Sequence, residues 1–167
     1  MRIYARKYKW YKDLFFQCHI LRDKAIQQIM FDNKRGVLKY FLPWTYHCKY
    51  IALMENDGKT KRFSITTFRK DSEKGGYWIA GFVPSKMQNK GLGIYAGITF
   101  INEFFKTHPE ATILSASRAA NVRAFRTTLS MGFQCDVQDN RHFESSLTRE
   151  QFDNDFVHYM MKRGGIE

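Results

Sequence analysis

Gln88-Asn89-Lys90-Gly91-Leu92-Gly93 is the stretch that decides the reading of this chain. Before it, Tyr77 to Val83 is an aromatic and β-branched run closed by Pro84, which predicts a strand. After it, Ile94, Ile98, Ile101 and Phe105 recur at helical spacing. The stretch therefore ends a strand and opens a helix. Glycines at such a place let the backbone approach a ligand with no Cβ in the way. Successive N–H groups point outward there, and the helix N-terminus adds partial positive charge. Together they predict a cradle for a pyrophosphate, to which Lys90 adds a full charge.

Two familiar phosphate loops are excluded. No Gly-Lys-Ser/Thr ending follows, so this is not a nucleoside-triphosphate loop. Ala96 and Gly97 stand where a third glycine would be needed for a dinucleotide fold. The preceding strand also closes an antiparallel meander. Tyr50 to Glu55 is its first member, Asn56-Asp57-Gly58 its hairpin turn, and Lys61 to Phe68 its second, with Phe63, Ile65 and Thr67 expected on one face. Asp71 to Gly76 turns the chain into the third.

Beyond the helix, Thr107-His108-Pro109 is a stop and Thr112 to Ala116 a buried strand. Asn121 to Ser130 reads as a helix ended at Gly132. Phe133 to Val137, His142 to Ser145 and Phe156 to Met161 read as strands. Thr148-x-x-Gln151 is a capping box for a short helical turn. At the other end, Tyr11, Leu14, Phe15, Cys18 and Leu21 predict a helix over 8–21 with that face buried. Ile26, Ile29 and Met30 predict a second over 23–33, stopped by Asn33-Lys34-Arg35-Gly36.

Composition sets the outer limits. At 167 residues, 44% hydrophobic and 26% charged, the chain is expected to form one domain over 1–167. No apolar run is long enough to cross a membrane. Cys18, Cys48 and Cys135 are an odd count at wide spacing, which argues against a disulfide framework or a zinc site. They are expected as small buried hydrophobes in a reducing cytoplasm. The net charge of +11 is uneven: residues 1–50 carry +8, residues 51–100 +4 and the remainder −1. Such a field favours anionic partners.

The strand–Gln88-x-x-Gly91-x-Gly93–helix pattern resembles motif A of the GNAT (GCN5-related) N-acetyltransferase superfamily. Asn121-Val122-Arg123-Ala124-Phe125, with Gly132-Phe133 closing its helix, resembles motif B. The resemblance covers about residues 48–135. It implies an α/β (α+β) three-layer α-β-α sandwich, with a mixed central sheet of six or seven strands splayed near Pro84. It implies acetyl-CoA as co-substrate and no metal. Phe82 and Val83 would pair with the pantetheine arm. The N–H groups of Asn89, Lys90, Gly91, Leu92, Gly93 and Ile94 would hold the pyrophosphate, with Gln88 framing the loop. Asn121 would bind the pantetheine region and Phe125 would pack on it, although Phe125 reads equally as a core aromatic. Arg126 or Lys90 could meet the remaining phosphate.

The implied chemistry is direct attack of a primary amine on the thioester, with a backbone N–H at Phe82 or Val83 stabilising the oxyanion. Many members carry a Tyr seven residues after the motif-B Asn to protonate the thiolate; here Thr128 stands there. Tyr159 and Ser130 are the substitutes, and Glu55 or His47 the candidate base. Each reads also as an ordinary packed or surface residue. The basic excess of the N-terminal half points to an anionic acceptor, and a homodimer is an open option. Two other readings stand beside the enzyme. One is a nucleic-acid-binding module gripping through Arg2, Tyr4, Arg6, Lys7, Tyr8, Lys9, Trp10, Tyr11 and Lys12, the less favoured partner. The other is a GNAT fold that binds acyl-CoA without turnover.

Overall fold

The computed structural model describes residues 1–30 and 46–166. The chain opens with strand β1 (Arg2–Lys7) and helices α1 (Trp10–Arg22) and α2 (Lys24–Met30). The expected stop at Asn33 to Gly36 lies outside the described residues. Strands β2 (Cys48–Asn56), β3 (Lys59–Lys70) and β4 (Tyr77–Phe82) form the meander. Helix α3 (Leu92–Thr107) leads to β5 (Ile113–Arg118) and α4 (Val122–Ser130). Strands β6 (Gln134–Gln138) and β7 (His142–Leu147) follow, then helices α5 (Arg149–Phe152) and α6 (Asp155–Gly164).

All seven strands join one sheet in the order β1-β2-β3-β4-β5-β7-β6. Neighbours are antiparallel except β4 and β5, which run parallel. Helices cover both faces. On one, Ile20 and Ile26 of α1 and α2 pack with Ile51, Leu53, Ile65 and Phe82. On the other, Ile98, Ile101, Phe104 and Phe105 of α3 pack with Phe63, Phe68, Ile113 and Leu147, joined by Phe152 and Val157. The Phe68 and Phe104 rings stack there at 4.2 Å.

Four local expectations are corrected. Phe63 and Ile65 do not share a face: the β2–β3 register slips between Ala52 and Leu53, and the bulge at Phe63 turns it into the α3 core while Ile65 faces α1. Phe156 to Met161 is not a strand but lies within α6. The Asn154 side chain caps it by accepting the Val157 N–H at 3.1 Å, and Gly165 ends it at φ 60°. Cys135 is exposed rather than buried, because β6 is an edge strand exposed along its length. The fourth correction concerns α1, where the aromatic face points outward.

Asp13 causes that rotation. Its carboxylate is wholly buried. One oxygen accepts from Arg6 Nη2 at 2.7 Å and Arg62 Nε at 2.8 Å. The other accepts from Arg6 Nη1 at 2.7 Å and the Lys9 N–H at 2.8 Å. A buried carboxylate needs such partners, and they lie only on the sheet side. Asp13 and Ile20 are therefore turned inward, and Trp10, Tyr11, Leu14 and Phe15 outward. Periodicity also passed over β1, an edge strand whose charged alternation hides Ile3 in the core. The C-terminus holds it: Ile3 donates to the Gly165 carbonyl at 3.0 Å, and Ile166 bridges Ile3.

Candidate functional site

Strands β4 and β5 pair only at Tyr77 with Ile113 and Trp78 with Leu114. Beyond that, β4 stays on β3 and β5 stays on β7. The two strands part like a fork, open at their C-terminal ends, where the sequence placed the splay. The carbonyls of Ala80 and Phe82 accept from the hydroxyls of Thr66, at 2.9 Å, and Ser64, at 2.8 Å, both on β3. Alternation along a strand then turns Val83 toward the fork.

The loop leaves Pro84 through a single 3₁₀ turn, Ser85–Met87. Gln88 folds back and donates through Nε2 to the Val83 carbonyl at 2.9 Å, closing the loop onto the strand end. Asn89 and Gly91 are left-handed, at φ 61° and 72°. Among the described residues, no acceptor meets the backbone N–H of Asn89, Lys90, Gly91, Leu92 or Gly93. Such a run of unpaired donors at a helix N-terminus has the chemistry to receive an anion. A Cβ built on Gly91 or Gly93 would meet nothing within 4 Å, so the space above the loop is open. Leu92 is buried and anchors the loop from below.

Helix α4 forms the far wall. Asn121 caps it, its side-chain oxygen accepting the Ala124 N–H at 3.2 Å. Phe125 is half-buried and stacks on Phe143 of β7 at 4.0 Å. Arg123 donates to the Asn89 side chain and ties α4 to the loop across the mouth. Sequence reasoning passed over Arg123 in favour of Arg126, which is exposed. Distance from the cap could have separated the two, since they share a helix face and position 123 sits one turn nearer the cap.

The catalytic candidates are scattered. Thr128 is buried and its hydroxyl donates to the Ala124 carbonyl at 3.0 Å. The Ser130 hydroxyl is likewise held by the Arg126 carbonyl, at 2.9 Å. Tyr159 is 56% exposed on α6. Glu55 pairs with Arg2 and Thr60, four residues beyond Ile51, the residue level with Phe82 across β3. Four residues of strand is about 13 Å. His47 lies at the opposite end of the sheet, its Nε2 3.2 Å from that of His108, with its ring against Tyr77. Burial and the nearby His108 lower its pKa.

A second concavity of about 260 Å³ adjoins the loop on the α1–α2 side. Arg22, Lys24 and Lys86 contribute its charge, and His19 lines it as well. Its one acid among the described residues, Asp23, is already engaged: Oδ2 accepts the Ser85 N–H at 2.7 Å and Oδ1 the Ala25 N–H at 3.1 Å. Burial alone would raise the Asp23 carboxyl, but these N–H bonds outweigh it and hold it below the usual carboxylate range. The groove is thus electropositive. Among the described residues, no group of three or more His, Cys, Asp or Glu could hold a metal ion, and no helix is long and apolar enough to cross a membrane.

No protein-family model and no curated protein matches the sequence. Solved structures do match the fold. The aminoglycoside acetyltransferase AAC(6')-Ib, in complex with acetyl-CoA, aligns at a TM-score of 0.71 and 16% identity, over 93% of this chain and 98% of that one. Spermidine N-acetyltransferase from Vibrio cholerae, in complex with CoA and spermine, gives 0.71 at 10% identity, over 92% and 99%. A GNAT-family acetyltransferase from Bacillus anthracis gives 0.67 at 15% identity, over 90% and 96%. The chain has the GNAT acyl-CoA N-acyltransferase fold, with the mixed seven-stranded sheet that the resemblance implied.

Proposed function

We propose that this chain is, over its whole length, one acetyl-CoA-dependent N-acetyltransferase unit acting on a primary amine. The observation that carries the reading is the run of unpaired N–H groups from Asn89 to Gly93 at the mouth of the β4–β5 fork. The neighbours in complex with acetyl-CoA or CoA support the same donor. The loop would hold the pyrophosphate. The fork would take the pantetheine arm between Phe82–Val83 and the Asn121–Phe125 wall.

A neutral amine nitrogen attacks the thioester carbonyl. The C–N bond forms, the C–S bond breaks, and the amine proton and the CoA thiolate leave. The Val83 N–H is the backbone donor best turned toward the developing oxyanion. Holding both substrates in one fork makes the attack effectively unimolecular. Thr128, already bound to Ala124, is a poor proton donor, so water protonates the thiolate. The same observation favours a second reading, binding without turnover.

The acceptor is a small anion-bearing amine. The electropositive groove of Arg22, Lys24 and Lys86 beside the strand end supports this. The test is a panel of anionic, neutral and polycationic amines, read as thiol release from acetyl-CoA. Turnover with anionic amines that salt weakens supports the reading. Turnover indifferent to acceptor charge contradicts the anionic acceptor. Acetyl-CoA binding with no turnover on any amine supports the second reading.

A further inference from the structure

We propose that the outward face of α1 seats this protein on an anionic lipid surface. Trp10, Tyr11, Leu14 and Phe15 are 71%, 61%, 44% and 87% exposed, and they form one stripe at helical spacing. The helix cannot roll to hide them. Asp13 on the opposite side is locked to Arg6 and Arg62, and rolling would tear that buried ion pair open. The stripe is therefore a fixed feature of the fold.

Charge selects the occupant. Lys9 and Lys12 beside the stripe are exposed, as is Arg22 further along the helix. Asp13 is the only acid in α1, and it is wholly buried. The outward face of α1 thus combines apolar side chains with cations, and the helix itself offers no exposed carboxylate to repel lipid phosphate. Trp and Tyr favour the level of the headgroups, Phe and Leu the acyl boundary below, and Lys the anionic phosphates above. Shape agrees. The side chains project from a convex helix rather than line a groove, which suits a deformable bilayer better than a partner helix or a splayed nucleotide.

The test uses the full chain and sedimentation with vesicles of phosphatidylcholine alone or mixed with phosphatidylglycerol. The wild-type protein partitions onto the mixed vesicles, the Trp10 emission shifts to the blue, and added salt weakens binding. Phe15→Glu or Trp10→Glu lowers partitioning by about tenfold or more, and the Lys9→Glu, Lys12→Glu pair does so on anionic vesicles. All keep wild-type acetyl-CoA affinity, the check that they fold. If an acidic variant does not fold, Phe15→Gln carries the same comparison. Four results overturn the proposal. The wild type stays in the supernatant with both vesicles. The variants sediment as the wild type does. The same substitutions dissolve a dimer that forms without lipid, which assigns the face to a second copy. RNA displaces the protein from vesicles and loses its hold in the same variants, which assigns it to nucleic acid.

Discussion

The carboxylate of Asp23 accepts the Ser85 N–H at 2.7 Å while its other oxygen caps α2. One residue at the α1–α2 corner thus holds the first turn of the proposed phosphate loop and orders the groove beside it. Asp23→Ala removes both bonds. Loss of a cap costs about 1–2 kcal/mol. Denaturant unfolding should show that loss, and acetyl-CoA affinity should fall several-fold with it. Asp23→Asn, whose single carbonyl oxygen can accept only one of the two bonds, should recover part of the loss. Unchanged affinity in Asp23→Ala would mean that the loop is ordered without this tie.

Asp13 predicts an acid-side instability. Burial would raise its carboxyl, but bonds from Arg6, Lys9 and Arg62 hold it below the ordinary 3.8. A carboxyl lowered in the folded state stabilises the fold above its unfolded pKa, and that stability is lost as pH falls through the lower, folded value. Asp13→Asn should cost roughly 2–3 kcal/mol at neutral pH, toward the low end for breaking a buried pair because both arginines reach solvent. It should also flatten the fall in unfolding free energy below about pH 4. An unchanged acid limb would place the acid sensitivity elsewhere.

Lys49 predicts a slope of the same sign on the alkaline side. It is buried on β2, its Nζ donates to Gln17 at 2.7 Å and lies 4.0 Å from the Tyr8 ring centre, and burial pushes its pKa down to about 8. The unfolded chain keeps this proton to about 10.5, so it binds more protons than the fold between those values. Stability should therefore rise from about pH 8 to pH 9, and from there Cys48, whose thiol burial pushes up to about 11, offsets the rise. Above that, Tyr8 and Tyr50, each pushed up to about 12, oppose it. Chemical denaturation across this window should show the rise in the wild type and its absence in Lys49→Met.

Thr128 stands where the resemblance expects an acid, yet its hydroxyl is held by Ala124. Thr128→Val should leave thiol release from acetyl-CoA, with a productive amine, within about twofold, since a general acid contributes at least about a hundredfold. A loss of that larger size would restore Thr128 as the proton donor.

The sequence carried the middle of the fold well, and the reason is local. The meander, the fork strand, α3 and the Asn121 helix each combine periodicity with a turn or cap signal, and all appear where expected. It carried the ends poorly. At α1 the aromatic stripe outvoted a single Asp, whose burial rests on the nearby Arg6 and on Arg62, 49 residues on. At α6 a short apolar run passed for a strand, while Asn154 before it and Gly164-Gly165 after it marked a helix. At the candidate site, the loop from Gln88 to Gly93 and the helix it opens were legible because glycine spacing encodes backbone conformation. Asp23 and Arg123 were not, because each acts across a contact that folding alone creates.

The central claim is that the Asn89–Gly93 donors hold the diphosphate of acetyl-CoA. Calorimetric titration of acetyl-CoA into wild type, Gly91→Asn and Gly91→Asp tests it most directly. Both replacements meet open space and share the left-handed strain at φ 72°, which Asn and Asp tolerate better than most residues. They differ in one negative charge beside the loop. The account predicts saturable binding by the wild type, modest weakening in Gly91→Asn, and loss of about a hundredfold or more in Gly91→Asp. Equal affinity for the two variants, or no binding by a folded wild type, would contradict it.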